Sequence, residues 1–126
     1  LRIASRTPER GQALVVRFRN VFPGRPVAAD EAWPPAAGGA DLIVNATPVR
    51  EELLVDLAGV RQVVDLAYRP EGGDTALIAA ARSAGCERVV DGLDVLVGQG
   101  ALSFERWTGR QAPREVMETA VRSLSG

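Results

Sequence analysis

Short apolar stretches of strand length alternate along this chain with segments whose apolar residues recur at helical spacing. This alternation is typical of α/β domains with a mainly parallel, doubly wound sheet, because each helix carries the chain back to start the next parallel strand. We predict strands at residues 1–5, 26–29, 41–47, 62–67 and 88–91. We predict helices at residues 8–22, 51–57, 75–84, 92–107 and 112–124, with Thr7 and Asp74 capping the first and the third.

Composition excludes several classes of partner. A length of 126 residues allows one hydrophobic core, and a net charge of −1 gives no electrostatic reason to expect nucleic acid or a membrane surface as a partner. No apolar run approaches the roughly 18 residues that cross a bilayer, so we expect a cytoplasmic protein. All 15 basic residues are arginine, histidine is absent and Cys86 is the only cysteine, so no metal site is predicted. A complete acid–base enzyme is hard to assemble from these residues alone.

Polar residues end three of the predicted strands. They are the sequences SRT at 5–7, NAT at 45–47 and DLAY at 65–68. In doubly wound sheets, the polar residues at the carboxyl ends of parallel strands face the ligand crevice. Each sequence alone is common in loops, but their recurrence at corresponding points of successive βα units favours one shared binding site.

Two arginines indicate which ligand the first of these strand ends binds. In a dinucleotide-binding, Rossmann-like fold, the turn after the second strand lies beside the adenosine ribose, and arginine there receives a 2′-phosphate. Arg6 and Arg10, with the hydroxyls of Ser5 and Thr7, therefore predict an NADP site. The glycine-rich loop of the first strand does not precede them. We expect a sheet truncated at its N-terminus, which lacks strand 1 of the order 3-2-1-4-5-6, and a chain that is an incomplete part of an enzyme.

The order of these motifs carries a family resemblance. The segments that carry it are SRTPER at 5–10, NAT at 45–47, DLAYRP at 65–70, TAL at 75–77, GLDVLVGQ at 92–99 and FERWTG at 104–109. Together they resemble the C-terminal NADP-binding domain of the shikimate dehydrogenase family, over residues 1 to about 124. Asp94 departs from the family pattern, where glycine is common. Its carboxylate would either repel an anionic substrate or point to solvent.

The resemblance implies roles for particular residues. The residues implied to bind the cofactor are Ser5, Arg6, Thr7, Arg10, Asn45, Ala46, Thr47, Leu66 and Gly92. Within that set, Arg6 would stack on the adenine or grip the 2′-phosphate. The backbone of Leu66 and Gly92 would meet the nicotinamide. Tyr68 and Gln99 would hydrogen-bond the carboxylate or hydroxyls of shikimate.

The resemblance also implies an activity for the intact protein, the reduction of 3-dehydroshikimate to shikimate by NADPH in aromatic amino acid biosynthesis. The family's catalytic Lys–Asp pair belongs to an N-terminal substrate domain that these residues lack, so no residue here is expected to be catalytic. The chain alone is then expected to be inactive. Two alternatives stay open: a quinate/shikimate dehydrogenase that uses NAD, and a non-catalytic nucleotide-binding module. A homodimer is also left open.

Overall fold

The computed structural model describes residues 1–19, 21, 24, 26–30 and 32–123. Within them lie five strands and four helices, and every strand pairing is parallel. The chain divides into two compact units, Leu1–Ala36 with Leu54–Asp56 and Ala37–Leu53 with Leu57–Gly126. No helix of the described part is long and apolar enough to cross a lipid bilayer. The predicted α/β class with a mainly parallel sheet is confirmed.

The first unit is built on a β-α-β segment. Strand β1 (Arg2–Ala4) leads into helix α1 (Pro8–Arg19), and strand β2 (Ala28–Asp30) pairs with β1 in parallel. The predicted strands at 1–5 and 26–29 are both present, although β1 is shorter than predicted and β2 is displaced towards Asp30. This pairing agrees with the predicted neighbourhood of strands 2 and 3.

Helix α1 packs on this strand pair through a small residue and a branched one. Gly11 and Val15 are buried, and they lie four residues apart on one face of the helix. Pro8 stands at the first helical position, as predicted, where the N–H that it lacks would have no partner within the helix. The predicted end of the helix at Phe22 lies outside the described residues.

The second unit holds a three-stranded parallel sheet with helices. Its strands follow the order β3-β4-β5, which agrees with the predicted order of strands 4, 5 and 6. The core is formed largely by Val63, Leu77, Ile78 and Ala81, where α2 packs on β4 and β5. The elements are β3 (Leu42–Asn45), β4 (Gln62–Asp65), α2 (Ala76–Ser83), β5 (Arg88–Val90), α3 (Gly92–Thr108) and α4 (Arg114–Ser123).

Local sequence explains where α2 begins and ends. Thr75 is its N-cap, and its hydroxyl accepts from the N–H of Ile78 at 3.3 Å. The prediction that Asp74 caps this helix is wrong, because the Asp74 carboxylate instead accepts from Arg82 at 2.7 Å. Gly85 ends the helix with a φ of 71°, a left-handed conformation that favours glycine.

The prediction of a short helix at residues 51–57 is wrong. Those residues form bends and irregular loop. Glu51 makes an ion pair with Arg69, and the stretch is divided between the two units. Tertiary contacts of this kind outweigh the weak helix propensity of so short a segment.

Candidate functional site

The turn after β3 is held by its own side chains. The Asn45 Oδ1 atom accepts from the N–H of Thr47 at 3.0 Å and from its hydroxyl at 2.8 Å. The Thr47 hydroxyl in turn accepts from the N–H of Val49 at 3.2 Å. These bonds form a compact turn in which the predicted ligand residues Asn45 and Thr47 are half-buried and Ala46 is exposed. The side chains of Asn45 and Thr47 therefore stabilise the turn by hydrogen bonds within it.

Asp65 ends β4 and joins this turn to two other segments. Its side chain is fully buried. Oδ1 accepts from Asn45 Nδ2 at 2.8 Å and from the Ala67 N–H at 3.0 Å, and Oδ2 accepts from the Thr75 hydroxyl at 2.5 Å. Sequence reasoning placed Asp65 at a polar strand end but gave it no role. The available signal was a carboxylate directly after the apolar residues Val63 and Val64.

The start of α3 approaches the end of β4 so closely that only glycine fits. A Cβ atom at Gly92 would lie 2.5 Å from the carbonyl oxygen of Ala67 and 2.9 Å from that of Leu66. The structure therefore brings together the backbones of Leu66 and Gly92, which were predicted to share the nicotinamide end. Asp91 caps the helix by accepting from the Asp94 N–H at 2.8 Å.

Tyr68 lies beside a cleft of about 220 Å³. The residue is 37% exposed, and the same cleft is lined by the loop 72–75, the start of α3 and Arg122 of α4. Gln99 is exposed on α3, seven residues beyond Gly92, and it lies outside the described lining of this cleft. The structure therefore does not bring Tyr68 and Gln99 together in this cleft.

The arginines around this cleft are neutralised by carboxylates. A hydrogen bond with Glu51 raises the pKa of Arg69 and lowers that of Glu51. Burial lowers the pKa of Arg122, but the nearby Asp91 and Asp94 carboxylates and a hydrogen bond to Glu118 outweigh it and raise the pKa.

Asp94, which departs from the family pattern, has a definite partner. Its Oδ1 atom accepts from Arg122 Nη2 at 2.6 Å. The carboxylate is exposed, which agrees with the expectation that it points to solvent, and its charge is also paired with Arg122 of helix α4.

Arg6 and Arg10, at the start of α1 in the first unit, lie in different surroundings. Ser5 accepts from the Thr7 N–H at 3.2 Å, and the Thr7 carbonyl accepts from the N–H groups of Arg10 and Gly11. Arg6 and Arg10 are exposed on either side of the helix start. Among the described residues neither guanidinium has a salt bridge, so both charges are available to an anion at this end of the helix.

Comparison with known proteins gives one consistent family. Residues 92–122 match the family model described as the shikimate 5'-dehydrogenase C-terminal domain. The shikimate dehydrogenase (NADP(+)) of Pyrobaculum aerophilum is 38% identical over 124 residues, which are 98% of this chain and 45% of the relative. That of Pyrobaculum neutrophilum is 41% identical with the same coverage. The chain therefore spans about 45% of the length of these curated relatives.

Solved structures agree with the sequence relatives. A Thermus thermophilus shikimate 5-dehydrogenase in complex with NADP(H) and shikimate is 32% identical, with a TM-score of 0.76 over 98% of this chain and 45% of that one. A shikimate dehydrogenase in complex with NADP+ is 28% identical, with a TM-score of 0.77 over 99% of this chain and 46% of that one. These matches confirm the Rossmann-like fold. Over nearly its whole length the chain is similar to the C-terminal part of the shikimate dehydrogenase family.

Proposed function

We propose that this chain is the NADP-binding part of an NADP-dependent shikimate dehydrogenase. The complete enzyme would transfer hydride between NADPH and the ketone of 3-dehydroshikimate, in the cytoplasm. The observation that carries the choice of NADP is the exposed pair Arg6 and Arg10, which has no salt bridge among the described residues. The names of the relatives support the same cofactor.

The cofactor would be bound by groups of different kinds along its length. The planar guanidinium of Arg6 and the charge of Arg10 suit a 2′-phosphate, with Ser5 and Thr7 shaping that turn. At the turn after β3, the exposed main chain at Ala46 would meet the pyrophosphate and ribose, because the side chains of Asn45 and Thr47 and the Thr47 N–H are engaged inside the turn. When bound, the cofactor supplies the hydride, and the protein supplies its orientation.

The nicotinamide and the substrate would lie near the end of β4. The backbones of Leu66 and Gly92 are adjacent there, and we assign them to the nicotinamide. Tyr68 follows directly, and its hydroxyl would hydrogen-bond the substrate from the side of the cofactor, with Gln99 as a second polar contact. An N-terminal substrate domain, as the family resemblance implies, would complete the binding of shikimate.

The test measures steady-state rates of the complete protein with each pairing of NADPH or NADH and 3-dehydroshikimate or 3-dehydroquinate. We expect the highest kcat/KM for NADPH with 3-dehydroshikimate. A preference for NADH with comparable use of dehydroquinate would support the quinate/shikimate alternative. Binding of NADPH with turnover of neither substrate would support the non-catalytic module.

Two substitutions test the substrate side of the proposal. Tyr68→Phe and Gln99→Ala should each raise the KM for shikimate or lower kcat, because each removes one hydrogen bond to a polar substrate. NADP affinity should change little. Full activity of Tyr68→Phe would contradict its assigned contact, and Glu87→Gln at an exposed position provides the control.

A further inference from the structure

We propose that Asp65 is a positioning residue, which sets the nicotinamide end of the site through the main chain of Leu66 and Ala67. The proposal rests on the function proposed above. Asp65 would not touch the cofactor or the substrate. It would act by fixing three segments that meet at the carboxyl end of β4.

The burial of Asp65 is the first observation. Its side chain has no exposed surface, and among the described residues it forms no salt bridge. A buried carboxylate without a cation is costly unless neutral donors satisfy it. Here three donors do so, and the described residues contain no buried side-chain nitrogen or oxygen without a partner. Fully satisfied buried networks of this kind hold their members in one arrangement.

The origin of the donors is the second observation. Asn45 comes from the turn after β3, Ala67 from the turn after β4 and Thr75 from the N-cap of α2. The two carboxylate oxygens therefore tie together the turn after β3, the turn after β4 and the start of α2. Thr75 also accepts from the Ile78 N–H, so its hydroxyl links the carboxylate to the first turn of α2.

The third observation is that this network positions the main-chain atoms of Leu66 and Ala67 beside Gly92. The Ala67 N–H donates to Asp65 at 3.0 Å, which orients the peptide between Leu66 and Ala67. The carbonyl oxygens of these two residues lie against Gly92, at a separation that leaves no room for a Cβ atom. A shift of the turn after β4 would therefore displace the very backbone groups assigned to the nicotinamide. Hydride transfer is sensitive to such shifts, since about 1 Å of misplacement can lower a rate by roughly 100-fold.

The experiment uses Asp65→Asn, Thr75→Val and Thr75→Ser in the complete protein. Asp65→Asn keeps the shape of the side chain but presents a donor to the Thr75 hydroxyl, where an acceptor stood. We expect kcat to fall by roughly 10- to 100-fold, while the KM for NADPH changes much less. Thr75→Val should act in the same direction, and Thr75→Ser, which keeps the hydroxyl, should recover most of the loss.

A readout independent of activity is amide hydrogen exchange. Both Asp65→Asn and Thr75→Val should raise exchange in the turns at residues 45–49 and 66–75 together, because one carboxylate holds both. Asp41→Asn is the matched control. Its carboxylate is paired with Arg61 but is exposed, and this variant should change neither kcat nor exchange at these turns.

The outcomes separate this proposal from the one on which it rests. If kcat falls only in proportion to the folded fraction, or NADPH KM rises as much as kcat falls, the positioning role is wrong. Exchange that rises in only one of the two turns also overturns it. If the wild-type protein neither binds NADPH nor reduces 3-dehydroshikimate, the proposed function fails. Amide hydrogen exchange at residues 45–49 and 66–75 then still shows whether Asp65 holds the two turns together. If the Asp65→Asn variant does not fold, the comparison of Thr75→Val with Thr75→Ser tests the positioning role in the same way.

Discussion

The start of α1 and the cleft beside Tyr68 use arginine in opposite ways. At the start of α1, Arg6 and Arg10 are exposed, and neither has a salt bridge among the described residues. In the second unit, Arg69, Arg82 and Arg122 each contact at least one carboxylate. A charge that is already paired gains little from a ligand anion, whereas an unpaired one is free to bind it. We therefore expect Arg6 and Arg10 to bind a ligand anion, whereas Arg69, Arg82 and Arg122 hold loops and helices through their ion pairs.

The largest effect is expected at the unpaired arginines. Arg6→Ala in the complete protein should weaken NADPH binding by about 10- to 150-fold, because a charge-assisted contact to phosphate is worth roughly 1.5–3 kcal/mol. NADH binding should be nearly unaffected, since NADH has no 2′-phosphate. Fluorescence titration of both cofactors measures this. Arg61→Ala, which removes a paired arginine with 56% side-chain exposure, is the control. Equal losses for NADPH and NADH would rule out the 2′-phosphate contact.

The two glycines that are buried in the described part of the chain extend the comparison to packing. Gly92→Ala would place a Cβ atom 2.5 Å from a backbone oxygen, and it should lower the free energy of unfolding by about 1–3 kcal/mol. At Gly11 a Cβ atom would meet its nearest neighbour at 3.7 Å, an ordinary contact. Gly11→Ala should therefore stabilise α1 by about 0.5–1 kcal/mol. Urea unfolding of the complete protein measures both, and effects of the same sign would contradict this contrast.

A paired arginine should affect stability more than cofactor binding. Arg122 contacts Asp91, Asp94 and Glu118, at 3.5, 2.6 and 3.3 Å respectively. Because these side chains are partly exposed, Arg122→Ala should cost up to about 1 kcal/mol of unfolding free energy. Thermal unfolding and NADPH titration together test the contrast with Arg6. A large loss of NADPH affinity at unchanged stability would show that Arg122 binds ligand.

The smallest effect is expected at Glu51, and it depends on pH. The hydrogen bond from Arg69 lowers the pKa of Glu51 below its ordinary value of 4.5. A lowered folded pKa adds stability above the unfolded pKa, and that stability is lost as pH falls through the folded value. Glu51→Gln should therefore be slightly less stable than wild type at neutral pH, and the two should converge in acid. A difference that grows below pH 4.5 would contradict the ion pair.

Much of the fold could be predicted because it depends on local patterns. Apolar runs located all five strands, and helical spacing with Pro8 and Gly85 located α1 and α2. The errors lie where tertiary contacts compete with local preference. Asp74 is a good capping residue, but it pairs with Arg82, and Thr75 takes the cap. A helix over residues 51–57 would have only about two turns and little stability of its own, and Glu51 is instead engaged in an ion pair with Arg69.

The order of the five strands, the family resemblance and the residue types at each strand end follow from composition, spacing and motifs along the chain. Which polar side chains are engaged internally and which are free depends on how the segments pack in three dimensions. Asn45 and Asp65 both stand at strand ends, yet they bond to each other at 2.8 Å, whereas Arg6 stays unpaired among the described residues. The physical reason is that a hydrogen bond forms only where the donor–acceptor distance is correct to within a few tenths of an ångström. Between segments far apart in sequence, the tertiary fold sets that distance.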